Sequence, residues 1–185
     1  DHIVMDVKEL QRVINSSLKF TANSDAILTL GMKPTRPETG YGYIQVGDNK
    51  EGDCYQAKAF SEKPQLEFAQ TFVESEEFYW NSGIFLWNVN TILEAFQIHM
   101  PEVCSKVMGG GEDFDSCPNI SIDYGIMEKA ENVCVQICDF GWADLGTWVA
   151  LHEASPKDHH KNVILNGHTV LYDCKDNMIA IPKGK

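Results

Sequence analysis

The chain has 185 residues, 43% hydrophobic and 10% aromatic, with 15 basic against 27 acidic side chains and a formal net charge of −12. Such a length and apolar content suit one substantial folded domain, or one domain with a small appendage, and exclude a disordered chain. The acidic balance excludes general affinity for nucleic acid or an anionic membrane, but not the capture of one phosphorylated small molecule, which needs only one or two cations in a pocket.

No apolar run is long enough for a transmembrane helix, and no stretch has the layout of a signal peptide. The six cysteines, Cys54, Cys104, Cys117, Cys134, Cys138 and Cys174, are scattered without a C-x-x-C pair, so reduced thiols in the cytoplasm are expected. The alternative is zinc held by Cys134, Cys138 and the His159–His160 pair.

In chain order, Asp1 opens directly into an amphipathic pattern, with Ile3, Val7, Leu10, Ile14 and Leu18 at helical spacing. That abrupt start, and an equally abrupt end at Ile181–Lys185, give the expectation of a piece cut from a longer protein. Ala26–Met32 is a short apolar run typical of a buried strand, followed by the loop Lys33-Pro-Thr-Arg-Pro-Glu-Thr-Gly40. Tyr41–Val46 and Cys54–Phe60 read as strands about a polar turn at Gly47–Asp53. Leu66–Val73 is helical, Tyr79–Trp87 is strand-like but broken by Asn81-Ser-Gly83, and Val89–His99 is helical with Val89, Ile92, Leu93 and Phe96 on one face. A glycine-rich acidic loop spans Gly109–Ser116, and Ser121 caps a short helix through Lys129, with Asp123 in its first turn. Val133–Asp139 is a strand and Leu145–Ala154 a helix. Beyond Ser155-Pro156 three short strands follow, Asn162–Leu165, Thr169–Asp173 and Asn177–Ile181. Strands alternating with helices predict a layered α/β sheet over residues 1–155, and 156–185 a linker with the beginning of an all-β unit.

Three short motifs could carry chemistry. In Phe60-Ser-Glu-Lys-Pro64, at a strand end where ligands collect, Lys63 suits one phosphate and Glu62 accepts from sugar hydroxyls, unless the segment is a solvated loop before a helix. Trp80-Asn-Ser-Gly-Ile-Phe85 offers an amide, a hydroxyl and a glycine that lets a ligand approach, or a bulged strand with core aromatics. Gly141-Trp-Ala-Asp-Leu-Gly-Thr-Trp148 sets Asp144 in a turn, as a helix N-cap or a metal ligand.

Taken in order, five blocks resemble the mannose-1-phosphate guanylyltransferase family. They are Lys33–Ile44, Glu62-Lys63-Pro64, Tyr79–Phe85, Ser121–Lys129 and Gly141–Trp148, together covering about residues 28–150. The resemblance implies a mixed α/β nucleotidyltransferase (Rossmann-like) sheet with flanking helices and, after Asn162, the start of a C-terminal β-helical extension. It implies a Mg²⁺-dependent reaction in which GTP and mannose 1-phosphate give GDP-mannose and pyrophosphate. Lys63 would bind the sugar phosphate and Glu62 the sugar hydroxyls. Gly42, Asn81 and Gly83 would line the sugar pocket, with Asp123 and Tyr124 shaping its wall. Asp144 would be one magnesium ligand and Asp1, in the pair Asp1-His2, the other. A direct displacement at phosphorus agrees with this inventory, because it needs alignment and charge neutralisation rather than a protein nucleophile.

One departure from the family is plain: no glycine-rich basic phosphate loop occurs, and Gly109–Gly111 is followed by acids. The chain is therefore expected to lack much of the GTP site and to be inactive alone. The competing expectations are another sugar-1-phosphate nucleotidyltransferase, or a catalytically silent binding or regulatory relative. A homo-oligomer is compatible with either.

Overall fold

Six consecutive residues, Ile27–Met32, are all buried, as an apolar run without polar alternation requires of a strand covered on both faces. They form a strand paired on both edges within a mixed sheet, in a computed structural model that describes residues 2–110, 114–167 and 169–182. In chain order its elements are β1 (His2–Val4), α1 (Val7–Ala22), β2 (Ile27–Met32), β3 (Tyr43–Glu51), β4 (Cys54–Ser61), α2 (Leu66–Ser75), β5 (Phe78–Leu86), α3 (Val89–His99) and α4 (Pro101–Met108). A 3-10 turn at Phe114–Ser116 and a π-helical turn at Asp123–Met127 follow, then β6 (Val133–Cys138), β7 (Trp142–Asp144), α5 (Trp148–Ala154), β8 (Val163–Ile164) and β9 (Met178–Ile179). The chain divides into two units, Val7–Phe140 and the segments on either side of it.

In the Val7–Phe140 unit, β2 pairs in parallel with β6 and antiparallel with β5; β3 joins β5 to β4. The first residues of β4 pair back onto β6, with Cys54 opposite Gln136, so the hydrogen bonding closes into a ring of five strands. The expected mixed sheet with flanking helices is thus present. Two breaks in the β3–β4 register, at Gln45/Val46 and Val46/Lys50, bend the hairpin that closes it. The turn expected at Gly47–Asp53 shrinks to its last two residues: the strand runs on to Glu51, and Gly52, at φ +61°, makes the reversal. The core on one face of the ring joins Ile27 and Val133 to Ile92 and Ala95 of α3 and to Ile126 and Met127 of the π-helical turn.

Helix α1 departs from its periodicity. His2–Val4 forms a strand, not a first helical turn, and Val7 and Leu18 stay exposed while Val13, Ser17 and Thr21 are buried. The reason is a buried amide on β6. Gln136, 2% exposed, accepts from the Ser17 hydroxyl at 2.5 Å and donates to Ser16 Oγ at 3.0 Å. A buried amide must be satisfied, so the hydroxyl-bearing side of the helix faces the sheet, with Leu10 and Ile14 of the stripe half-buried beside it and Val7 and Leu18 left outside.

Helix α3 has the expected bounds, with Asn88 as its cap accepting from the Asn90 N–H at 2.9 Å. Of its expected apolar face, Ile92 is buried, whereas Val89 and Leu93 are exposed. Helix α4, started by Pro101, arises inside a stretch with no expected element.

In the second unit, β1 and β7 pair antiparallel, setting His2 opposite Asp144 and Ile3 opposite Ala143. Farther on, β8 and β9 form a parallel pair, Val163 opposite Met178. Thr169–Asp173 forms no strand. Among the described residues no helix is long and apolar enough to cross a membrane.

Candidate functional site

Four of the five motif blocks lie in the Val7–Phe140 unit, and direct contacts bring them together. Strand β5 carries the central one. Between Thr29 and Gly31 of β2, the partner on β5 jumps from Phe85 to Asn81, a bulge that sets the three residues Ser82, Gly83 and Ile84 against Leu30 alone. Gly83 sits at φ +70°, a left-handed conformation natural to glycine, and a Cβ there would meet open space. The bulge sets Asn81, buried at 8% exposure, so that its Oδ1 accepts the Gly83 N–H at 3.2 Å and the Thr29 hydroxyl at 2.8 Å. Asn81 Nδ2 donates to Asp123 Oδ1 at 3.0 Å, and the Asn81 N–H donates to the Gly42 carbonyl at 2.8 Å. The loop, strand and π-turn blocks therefore meet at one residue, the loop at its backbone N–H and the π-turn at its side-chain amide.

Glu62 and Lys63 reach the same place from the end of β4. Lys63 has φ +47°, a region that costs a non-glycine residue on the order of 1 kcal/mol or more and is commonly kept where function requires it. The corner is held from three sides. Lys63 N–H donates to the Tyr41 carbonyl at 3.2 Å, Glu62 N–H donates to Glu128 Oε1 at 3.0 Å, and Pro64 is buried. Gly42 makes room for the carboxylate. A Cβ there would lie 2.5 Å from Glu62 Oε2 and 3.2 Å from Asn81 Cβ.

The electrostatics follow from this crowding. The Glu62 side chain is 8% exposed and its Oε1 accepts from Lys63 Nζ at 3.2 Å, while the Lys63 side chain is 56% exposed. Burial first, and then the nearby Asp123 charge, push the Glu62 carboxyl above its ordinary range; the Lys63 hydrogen bond opposes them without winning. Water around the exposed ammonium screens its attraction, which explains that order. The hydrogen bond to Glu62 raises Lys63 in turn, keeping it cationic. The result is a cation on an exposed stem beside two carboxylates and a buried amide, a set that can hold a phosphate and accept from neighbouring hydroxyls.

Tyr124 lies next to Asp123 in the π-helical turn and is 40% exposed. The expected Ser121 cap is not made; the turn has no side-chain cap, and Asp123 binds Asn81 instead. Two contributors escaped the sequence reading. Glu128 falls within a motif block, but nothing local to it points at Glu62. Thr29 sits in an apolar run and reads as an ordinary β-branched strand residue. The Trp80 indole N–H, on β5 beside Asn81, is buried without a hydrogen-bond partner, with the Arg36 guanidinium 5.5 Å from its ring centroid.

The fifth block belongs to the second unit. Asp144 ends β7 and accepts the Gly146 N–H at 3.1 Å; the cap of α5 is Thr147, whose Oγ1 accepts the Ala150 N–H at 3.1 Å. Asp144 is therefore not the helix cap, and its carboxylate suits a hard cation. The strand pairing sets His2 opposite Asp144, while Asp1 itself lies outside the described residues. Among the described residues no group of three or more His, Cys, Asp or Glu side chains is placed to hold a metal ion, and all six cysteines are free.

Residues 1–161 match the nucleotidyl transferase family. The chain is 36% identical over 202 residues to a mannose-1-phosphate guanylyltransferase of Escherichia coli, an alignment covering 100% of this chain and 43% of that protein. It is 36% identical over 190 residues to the xanthan biosynthesis protein XanB of Xanthomonas campestris, covering 95% of this chain and 40% of the relative. Among solved structures it is similar to the mannose-1-phosphate geranyltransferase of Thermus thermophilus. That match has a TM-score of 0.80 and 37% identity, over 89% of this chain and 50% of the other. The chain thus spans less than half the length of these two curated relatives.

Proposed function

The chain belongs to the nucleotidyl transferase family, and from that premise we propose that it carries the sugar-phosphate side of a mannose-1-phosphate guanylyltransferase. The observation that supports this is the convergence of Lys63, Glu62, Asn81 and Asp123, from three separate blocks, on one group of contacts. In the reaction proposed, a phosphate oxygen of mannose 1-phosphate attacks the α-phosphorus of GTP. The bond to the β-phosphate oxygen breaks, pyrophosphate leaves, and GDP-mannose remains.

Within this scheme Lys63 holds the sugar phosphate, its exposed stem letting the ammonium leave Glu62 for a stronger anion. Glu62 and Asp123 accept from sugar hydroxyls, Asn81 orients Asp123, Gly42 lines the pocket and leaves room for Glu62, Gly83 keeps the approach open, and Tyr124 walls the pocket. Asp144, with Asp1, would hold Mg²⁺, which when bound supplies neutralisation of the phosphate charge. Residues 1–155 then form the C-terminal, sugar-phosphate-binding part of the nucleotidyltransferase domain, and 156–185 the linker and first strands of a β-helical unit. A cytoplasmic setting belongs to the same proposal.

Titration calorimetry with mannose 1-phosphate tests it. The 185-residue chain should bind, and Lys63→Ala should weaken binding about 10- to 100-fold, the worth of one charge-assisted contact, with the melting temperature little changed. Absence of binding, or binding indifferent to Lys63→Ala, would overturn it. A parallel titration with glucose 1-phosphate separates another sugar-1-phosphate nucleotidyltransferase. The 185 residues hold no basic glycine-rich loop, so they should release no pyrophosphate from GTP and mannose 1-phosphate on their own.

A further inference from the structure

The Asn81 amide is more tightly committed than a ligand-reading group needs to be. Gly83 N–H is a backbone donor and can only face the amide oxygen, whereas Asp123 Oδ1 accepts and faces the amide nitrogen. These two restraints, at 3.2 and 3.0 Å, agree on one orientation. The shortest contact is a third, the Thr29 hydroxyl on Oδ1 at 2.8 Å. Thr29 is fully buried in β2, and the other acceptor within its reach, the Ile84 carbonyl, is farther at 3.3 Å. Its place beside the amide follows from the register: the β5 bulge opens directly after Thr29 and brings Asn81 opposite Gly31.

We propose that Thr29 is a positioning residue for the sugar-phosphate pocket, locking the Asn81 amide so that its nitrogen holds the Asp123 carboxylate toward the ligand. The proposal rests on the reading of this pocket given above. Thr29 is behind Asn81 and acts through it. Without the hydroxyl, Oδ1 keeps only the longer Gly83 bond. The amide can then swing about its terminal torsion, and Asp123 loses a fixed donor.

The test compares Thr29→Val, which keeps the shape and loses the hydroxyl, with Thr29→Ser, which keeps the hydroxyl and loses a methyl. Two measurements are made on the full chain. In the ligand-free protein, the Asn81 side-chain NH₂ pair, assigned by its loss in Asn81→Asp, is followed by ¹⁵N-correlated NMR. It should be resolved and slow to exchange with solvent in the parent and in Thr29→Ser, and broadened or fast-exchanging in Thr29→Val. By calorimetry, mannose 1-phosphate should bind Thr29→Val about tenfold more weakly than the parent, and Thr29→Ser within about twofold of it. An unchanged NH₂ pair in Thr29→Val, or unchanged affinity, overturns the proposal. If the valine variant does not fold, Thr29→Ser and Thr29→Ala, which differ only by the hydroxyl, give the same comparison. If the parent itself fails to bind mannose 1-phosphate, the assignment of the pocket fails, and the NH₂ exchange still decides whether Thr29 locks the amide.

Discussion

Glu128 Oε1 accepts the backbone N–H of Glu62 at 3.0 Å, so a carboxylate 66 positions downstream carries the corner from which Lys63 projects. The bond is exposed and Lys63 already sits at positive φ, so losing it should relax the corner more than it unfolds the protein. Glu128→Ala should weaken mannose 1-phosphate binding about tenfold with little change in melting temperature, and Glu128→Gln, which keeps an acceptor, should restore most of it. Calorimetry beside thermal melts checks the pair. Equal affinities for parent and Glu128→Ala would show that the corner stands without its anchor.

The raised Glu62 carboxyl has a consequence for stability. Its folded value lies above the ordinary 4.5, so between the two values the native state holds a proton that the unfolded chain has released. Stability from this group is therefore complete below the ordinary value and is lost as pH rises through the folded one. Glu62→Gln cannot titrate and removes that slope. The melting temperature of Glu62→Gln relative to the parent should rise as pH is taken from about 4 toward 7. A difference flat across that range, or falling, would contradict the assigned burial and Asp123 repulsion.

Gly42 is needed for space, since a Cβ would lie 2.5 Å from Glu62 Oε2, 3.2 Å from Asn81 Cβ and 3.3 Å from Phe60 Cζ. The carboxylate is the mobile neighbour and yields first. Gly42→Ala should therefore displace Glu62, costing about tenfold in mannose 1-phosphate affinity and about 1–3 kcal/mol in stability. Denaturant unfolding measures the second figure. An affinity equal to the parent's would mean that Glu62 does not need its present position.

In the second unit one buried amide ties the parallel strands together. Asn162, 1% exposed, donates to Asp158 Oδ2 at 3.1 Å and to the Cys174 carbonyl at 3.0 Å, and accepts the Asn177 N–H at 3.1 Å. Asn162→Ala leaves these groups without partners and should cost about 1–3 kcal/mol locally. The Val163 and Leu165 amides, which bond to Asn177 and Ile179, should then exchange their hydrogens faster. Protection unchanged from the parent would show that the β8–β9 pair does not depend on Asn162.

What the sequence determined by itself is local. Strand β2 was legible because an unbroken apolar run has both faces to bury, and the bounds of α3 because apolar residues recur at helical spacing over Val89–His99. The residues of the candidate site were legible as an ordered set of motifs, although no single motif among them was decisive. The tertiary structure decided the partners. Which side of α1 faces inward was set by Gln136, 119 positions from Ser17, and an amphipathic pattern holds no record of a buried amide's needs. That Asp123 binds Asn81, and that Thr29 stands behind it, depends on a two-residue bulge and on contacts spanning 42 and 52 positions. Periodicity reports which face of an element is apolar. It does not report where a hydrogen bond goes once distant strands lie side by side, and the candidate site is made of such bonds.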